Sequence, residues 1–121
     1  MNSFLPRIEI SLSQIRENTQ ILSDLYLGKG ISLMGVTKAV LGEPSIAQAM
    51  VQGGVEYIAD SRIENILKMK NAGISTPFAL LRTPLSQAES IVENVDISLN
   101  TEIETVKRLS HHAKKQNKTH Q

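Results

Sequence analysis

Gly30-Ile31-Ser32-Leu33-Met34-Gly35-Val36-Thr37-Lys38-Ala39-Val40 is the stretch on which the fold turns. Its first part is a short apolar run without a helical period, and it ends in a lone lysine. A strand inside a parallel sheet reads this way, because both of its faces are covered. The lysine then stands just past the strand's C-terminal end, where parallel α/β folds collect their chemistry. On position alone a solvated lysine in a loop is the commoner reading. Gly42 and Pro44 follow, and a helical pattern begins.

The same rhythm returns downstream. Val55–Ala59 reads as a strand ending at Asp60, Phe78–Leu81 as one ending at Arg82, and Val95–Leu99 as one ending at Asn100. Helical patterns lie between them. Pro44 fits a first helical position, with Ile46, Ala47, Met50 and Val51 inward and Gly53-Gly54 as the stop. Ile63, Ile66 and Leu67 form the next apolar stripe, ended by Gly73. Ala88, Ile91 and Val92 follow Thr83-Pro84, and Ile103, Val106, Leu109 and Ala113 follow Thr101. The pairs Ser61/Glu64, Ser86/Glu89 and Thr101/Glu104 have capping-box spacing.

Upstream, Arg7-Ile8-Glu9-Ile10-Ser11 alternates polar and apolar residues, as a half-buried strand would. Ser11 or Ser13 is placed to cap a helix whose stripe is Ile15, Leu22, Leu25 and Tyr26, ended by Gly28 and Gly30.

The polar strand ends, at 38, 60, 82 and 100, recur roughly every 20 residues, enough for one strand, one helix and two short loops. Successive βα units with right-handed crossovers make a parallel sheet, so the four polar ends share a rim. The expected fold is α/β in a single domain, 1–121. It divides into a lead strand and helix (1–30), four βα units (31–116) and a polar tail (117–121). The pattern fits a small doubly wound sheet or the first part of a (β/α)8 barrel, whose full length is about 250 residues.

Composition narrows the function. The 121 residues are 40% hydrophobic and 21% charged, and the net charge of +1 gives no reason to expect nucleic acid or an anionic surface. The absence of Cys excludes disulfides, thiolate metal ligands and a cysteine nucleophile, and suits a reducing cytoplasm. No apolar run is long enough to cross a membrane, and the N-terminus lacks the long apolar core of a secretory signal. A cytoplasmic protein without a membrane partner is expected. The His residues at 111, 112 and 120 cluster near the C-terminus, and no metal site is expected from them.

The segments PRIEISLSQIRENTQIL, GVTKAVLGEPSIAQAMVQGGVEYIADSRIENILKMKNAGI, LLRTPL and ISLNTEIETVKRLSHHAKK together resemble the N-terminal part of the alanine racemase-like (fold type III) pyridoxal-phosphate-dependent enzymes. The alanine/ornithine racemase branch is the nearest in pattern, and the similarity runs from about Pro6 to about Lys115. The resemblance implies the first part of a TIM-type barrel, with the leading strand belonging to a second, β-rich domain. It implies that Lys38 is the Schiff-base lysine of pyridoxal 5'-phosphate, whose ring acts as an electron sink for a Cα carbanion. The freed amine would then serve as acid or base on one face of a small amino-acid substrate. On the opposite face the family usually places a tyrosine from the partner subunit's C-terminal domain. An imine-forming lysine must lose its proton near neutral pH, which desolvation favours.

Two departures accompany the resemblance. Alanine racemase relatives carry a tyrosine four residues after the lysine, where this chain has Gly42. The phosphate-binding loops of such barrels follow the last strands, which have no counterpart here. The resemblance therefore implies an N-terminal fragment of an amino-acid racemase, inactive by itself. Unpaired sheet edges imply a homo-oligomer, a dimer in the simplest case. A non-catalytic pyridoxal-phosphate carrier of the single-barrel type is the alternative.

Beside Lys38, the rim residues Arg82 and Asn100 are candidate cofactor contacts. Arg82 could donate to the cofactor's phenolic oxygen or to a substrate carboxylate. The residues alone leave other partners open. Arg82 could pair with Asp60, Asp60 with Arg62, and Asn100 could cap the next helix beside Thr101. Glu64 is read as a capping-box residue.

Overall fold

The computed structural model describes residues 5–121; residues 1–4, the start of the expected 1–30 lead, lie outside them. The chain runs α1 (Leu12–Leu27), β1 (Met34–Val36), α2 (Pro44–Gln52), β2 (Tyr57–Asp60), α3 (Ile63–Asn71), β3 (Phe78–Leu80), α4 (Ala88–Asn94), β4 (Ile97–Ser98) and α5 (Ile103–Lys115). Short 3-10 turns occupy Lys38–Val40 and Leu85–Gln87.

The four strands form one parallel sheet in the order β1-β2-β3-β4. This order chooses between the two folds that the pattern leaves open. Each right-handed crossover adds its strand on the same side, so the sheet grows in one direction, as in a barrel. A doubly wound sheet reverses its order at a switch point, and no reversal occurs among these strands.

The sheet is apolar on both faces. Ile58, Phe78 and Leu80 pack against Ile66, Met69 and Ile91 of the helices, all at most 2% exposed. The register aligns Met34 with Tyr57, and Val36, Ala59, Ala79 and Ile97 across the opposite face. Continuous apolar strands of this kind belong to sheets covered on both sides, as in a barrel interior.

Several expectations fail for non-local reasons. Arg7–Ser11 forms no strand; Ile8 is 89% exposed, because among the described residues no strand pairs with it. Ser11 does cap α1, accepting from Gln14 N at 3.4 Å. The stripe of α1 does not face the core: Leu22, Leu25 and Tyr26 are exposed, while Ser23 is buried and Ile15 and Thr19 are half-buried. Gly53 determines this face. A Cβ there would stand 2.5 Å from Thr19 Cβ, so α1 lies against the end of α2 through small residues. In α5, Leu109 and Ala113 are buried as expected, but Ile103 and Val106 are exposed.

None of the three downstream capping boxes forms. The N-cap residues are Arg62, Gln87 and Glu102, none with a side-chain cap bond. Glu64 instead accepts from Gln87 Nε2 at 3.0 Å.

The polar tail has structure. Asn117 takes the left-handed conformation (φ 53°), and Lys118 N donates back to Ala113 O at 2.9 Å, closing α5 in a Schellman-type turn. Gln121 N donates to Asp96 O, and Ser98 N donates to Gln121 O at 2.8 Å, the parallel pattern of a neighbouring strand.

His120 follows this pairing, with Nε2 hydrogen-bonded to Ser98 Oγ at 2.7 Å. Burial lowers its pKa below the usual histidine value, and the Asp96 carboxylate opposes the shift only in part. The unfolded chain therefore takes up this proton at a higher pH than the folded chain. The folded state loses stability as pH falls through the unfolded value of about 6.5. Thermal melts should show a lower midpoint at about pH 5.5 than at about pH 7.5, and a smaller difference in His120→Gln. An equal pH dependence in both proteins would refute the assignment.

Candidate active site

All four strands are parallel, so their C-terminal ends share one rim, and Lys38, Asp60, Arg82 and Asn100 are all found at or just beyond it. The segment around Lys38 is the most constrained of these. Thr37, at φ −107° and ψ 2°, turns the chain out of β1, and Lys38 opens the 3-10 turn. Leu41 (φ 54°) and Gly42 (φ 63°) are then both left-handed. The Thr37 carbonyl accepts from Val40 N and Gly42 N, each at 3.1 Å, which ties the turn to the strand end. A leucine in this conformation costs about 1–2 kcal/mol, and strain of this kind concentrates at functional sites. Lys38 itself is exposed and has no ion pair or side-chain hydrogen bond among the described residues.

Asp60 does not make the expected ion pairs. It is fully buried, and its carboxylate accepts from Thr37 Oγ1 at 2.7 Å, Arg62 N at 3.0 Å and Asn65 Nδ2 at 2.9 Å. Three donors satisfy the buried charge without a cation. The side chains of Arg62 and Arg82 have no acidic partner among the described residues. Sequence reasoning missed Thr37 and Asn65 altogether. The available signal was strand alternation, which puts Thr37 on the helix side next to Asp60.

Arg82 and Asn100 come together. Both line a cleft of about 200 Å³ between the ends of β3 and β4, with Leu81, Thr83, Leu99, Thr105 and one acidic residue, Glu102, which is not within ion-pair distance of Arg82. Asn100 does not cap α5; its Nδ2 donates to Ser98 Oγ at 2.9 Å and Ser98 O at 3.1 Å. Its buried Oδ1 has no hydrogen-bond partner among the described residues. Lys38 does not line this cleft. It follows β1, two strands from β3, or roughly 10 Å at the usual strand spacing. A larger hollow of about 420 Å³ includes Tyr57, Pro77 and Asp96 but none of the rim residues. Sheet polarity, not volume, is therefore the guide to the site.

The rim thus offers a primary amine and a guanidinium, both without acidic partners, and an unpaired amide oxygen. This donor set suits an aldehyde that also carries anionic groups. The family profile described as "Alanine racemase, N-terminal domain" matches residues 10–121. The chain belongs to the alanine racemase N-terminal domain family.

Its relatives include the lysine racemase of Thermotoga maritima, 41% identical over 90 residues, which cover 74% of this chain and 25% of that protein. The ornithine racemase of Acetoanaerobium sticklandii is 35% identical over 116 residues, covering 95% of this chain and 32% of that protein. The chain therefore spans about a quarter to a third of the length of the curated relatives it matches. Among solved structures, the alanine racemase of Clostridium difficile 630 aligns with TM-score 0.72 at 22% identity, over 88% of this chain and 28% of that one. The Bartonella henselae alanine racemase with covalently bound pyridoxal phosphate gives 0.67 at 22%, over 86% and 31%. These structural likenesses bear out the barrel fold, and the family match bears out the resemblance seen in the sequence.

Proposed function

We propose that this chain provides the cofactor-lysine side of a pyridoxal-phosphate-dependent amino-acid racemase. The observation that carries the reading is the placement of Lys38, exposed and without an acidic partner, at the carboxyl rim on a strained turn. When bound, the cofactor supplies an electron sink for charge developing at a substrate Cα. Lys38 Nζ would hold it and would move a proton on one face of the substrate. Arg82 binds an anionic oxygen of cofactor or substrate, and Asn100 Oδ1 accepts from a donor in the same cleft. The substrate class is a small amino acid. Lysine and ornithine come first, because relatives at 41% and 35% identity carry those names.

Racemisation requires a second proton-transfer group on the opposite face. Tyr26 lies on α1, and Tyr57 opens β2 at the end away from the rim, so neither tyrosine stands beside Lys38. The 121 residues alone should capture the cofactor without turning over substrate, since losing one such group costs about 10²–10⁴-fold in rate. The test adds pyridoxal phosphate to the chain and follows optical rotation of L-lysine, L-ornithine and L-alanine. A cofactor adduct with unchanged rotation is expected. Turnover that disappears in Lys38→Ala would place a complete site within these residues, and no adduct at all would overturn the role of Lys38.

The proposal includes a cytoplasmic setting, supported by the absence of Cys, and a homo-oligomer. No helix among the described residues is long and apolar enough to cross a membrane. Exposed Leu22, Leu25, Met34 and Val36 on one flank of the sheet, and Leu99 and Ile103 on the other, support association. Sedimentation at high micromolar concentration should show a dimer or larger species; a monomer would refute this.

A further inference from the structure

Among the described residues Lys38 itself has no side-chain hydrogen bond or ion pair, yet the residue before it is bonded through its N–H, its carbonyl and its side chain. Thr37 is 0% exposed. Its N–H donates to Ala59 O at 3.0 Å, continuing the ladder between β1 and β2. Its carbonyl accepts from Val40 N and Gly42 N. Its hydroxyl donates to Asp60 Oδ2 at 2.7 Å. The other carboxylate oxygen, Oδ1, accepts from Arg62 N and from Asn65 Nδ2. Asp60 thus joins the end of β1, the end of β2 and the first turn of α3, with no cation to neutralise it among the described residues. A buried carboxylate is a costly way to fasten two strands that the apolar core already holds. What it adds is direction. It pins the Thr37 side chain to the helix side of the sheet, which fixes the peptide from which Lys38 departs.

We infer that Asp60 is a positioning residue for Lys38, acting through the Thr37 hydroxyl and seconded by Asn65, so that the amine leaves the sheet in one orientation at the carboxyl rim. The inference rests on the reading of Lys38 as the cofactor-binding amine. The geometry after Lys38 agrees with it. Leu41 is held left-handed in the turn whose N–H groups converge on Thr37 O, and Asn65 closes against Gly42 on the far side. The same two residues, Asp60 and Asn65, therefore bracket the lysine from before and after. Preorganisation of this kind matters where a small displacement of a reacting atom is expensive in rate.

The test is covalent capture by pyridoxal phosphate, fixed with borohydride and mapped by peptide mass spectrometry. Lys29, Lys114 and Lys115 of the same chain, exposed and like Lys38 without a side-chain partner among the described residues, serve as internal references. In the wild type, Lys38 should be captured faster than these three. Thr37→Val keeps the shape of the side chain but removes the hydroxyl, and should cut the Lys38-to-reference ratio on the order of 10–100-fold. Thr37→Ser should restore most of it, which a general loosening of the fold would not do. Asn65→Ala places a strong helix former on α3, guards against a Thr37 variant that fails to fold, and should give a smaller loss of several-fold. Circular dichroism establishes which variants are folded. If wild-type Lys38 is captured no faster than the reference lysines, the reading of Lys38 itself falls. If wild-type capture is selective and the folded variants keep that selectivity, the Lys38 reading stands and the positioning role of Asp60 is overturned.

Discussion

Lys38→Ala should abolish selective capture of pyridoxal phosphate, reducing the adduct's absorbance to the level left by the other lysines. The structure gives a reason for selectivity within one chain. Lys107 pairs with Glu104 at 2.9 Å, Lys70 donates to Asn94 O at 2.8 Å, Lys118 donates to Glu93 O at 3.0 Å, and Lys68 reaches Leu41 O and Glu43. Lys38 shares with Lys29, Lys114 and Lys115 the lack of such a partner among the described residues, and of these four it is the one at the carboxyl rim, on a turn fixed at both ends. An amine held near the groups that bind the rest of a ligand gains effective concentration over a solvated one, and a loss on the order of 10²-fold is expected when it is removed. Lys38→Arg is the control. It keeps the positive charge but cannot form the covalent bond, so it should lose the adduct as completely as Lys38→Ala. An adduct of unchanged size in either variant would move the cofactor to another residue.

The second large effect concerns the departure from the alanine racemase pattern. Gly42→Tyr, which installs the tyrosine that those relatives carry, should destabilise this chain by about 2–4 kcal/mol. Gly42 has φ 63°, and a Cβ there would stand 2.7 Å from Asn65 Cβ and 3.1 Å from its Cα and carbonyl oxygen. Two of those atoms are backbone, so no rotation of a side chain relieves the contact. The residue at 42 and the helix that carries Asn65 are thus matched to each other, and Asn65 is in turn bonded to Asp60. Urea titration of wild type, Gly42→Ala and Gly42→Tyr measures the effect. Gly42→Ala should show most of the loss, because the first side-chain atom already collides. A Gly42→Tyr protein as stable as wild type would mean that α3 moves freely away from the turn.

Much of this fold is local and could be read from the chain. Ile31–Val36 and Phe78–Leu81 are short apolar runs stopped by polar residues, and Pro44 and Gly53-Gly54 bound a helix by their own backbone chemistry. The four parallel strands and the shared rim of residues 38, 60, 82 and 100 follow from that punctuation and from the handedness of the crossovers. The position of Lys38 at the rim was legible for the same reason, whereas the cofactor role proposed for it came from the family resemblance and not from the strand pattern. Three kinds of property required the tertiary structure. Strand order, which separates a barrel from a doubly wound sheet, depends on which strands meet and not on how each is spelled. The buried faces of α1 and α5, and the failure of Arg7–Ser11 to become a strand, depend on what lies opposite, because an amphipathic pattern states which side could be buried and not whether a neighbour covers it. The role of Asp60 depends on donors from three elements meeting at one carboxylate. Sequence spacing suggested an arginine partner, but in the folded chain a threonine hydroxyl, a backbone N–H and an asparagine amide supply the hydrogen bonds that a buried charge requires.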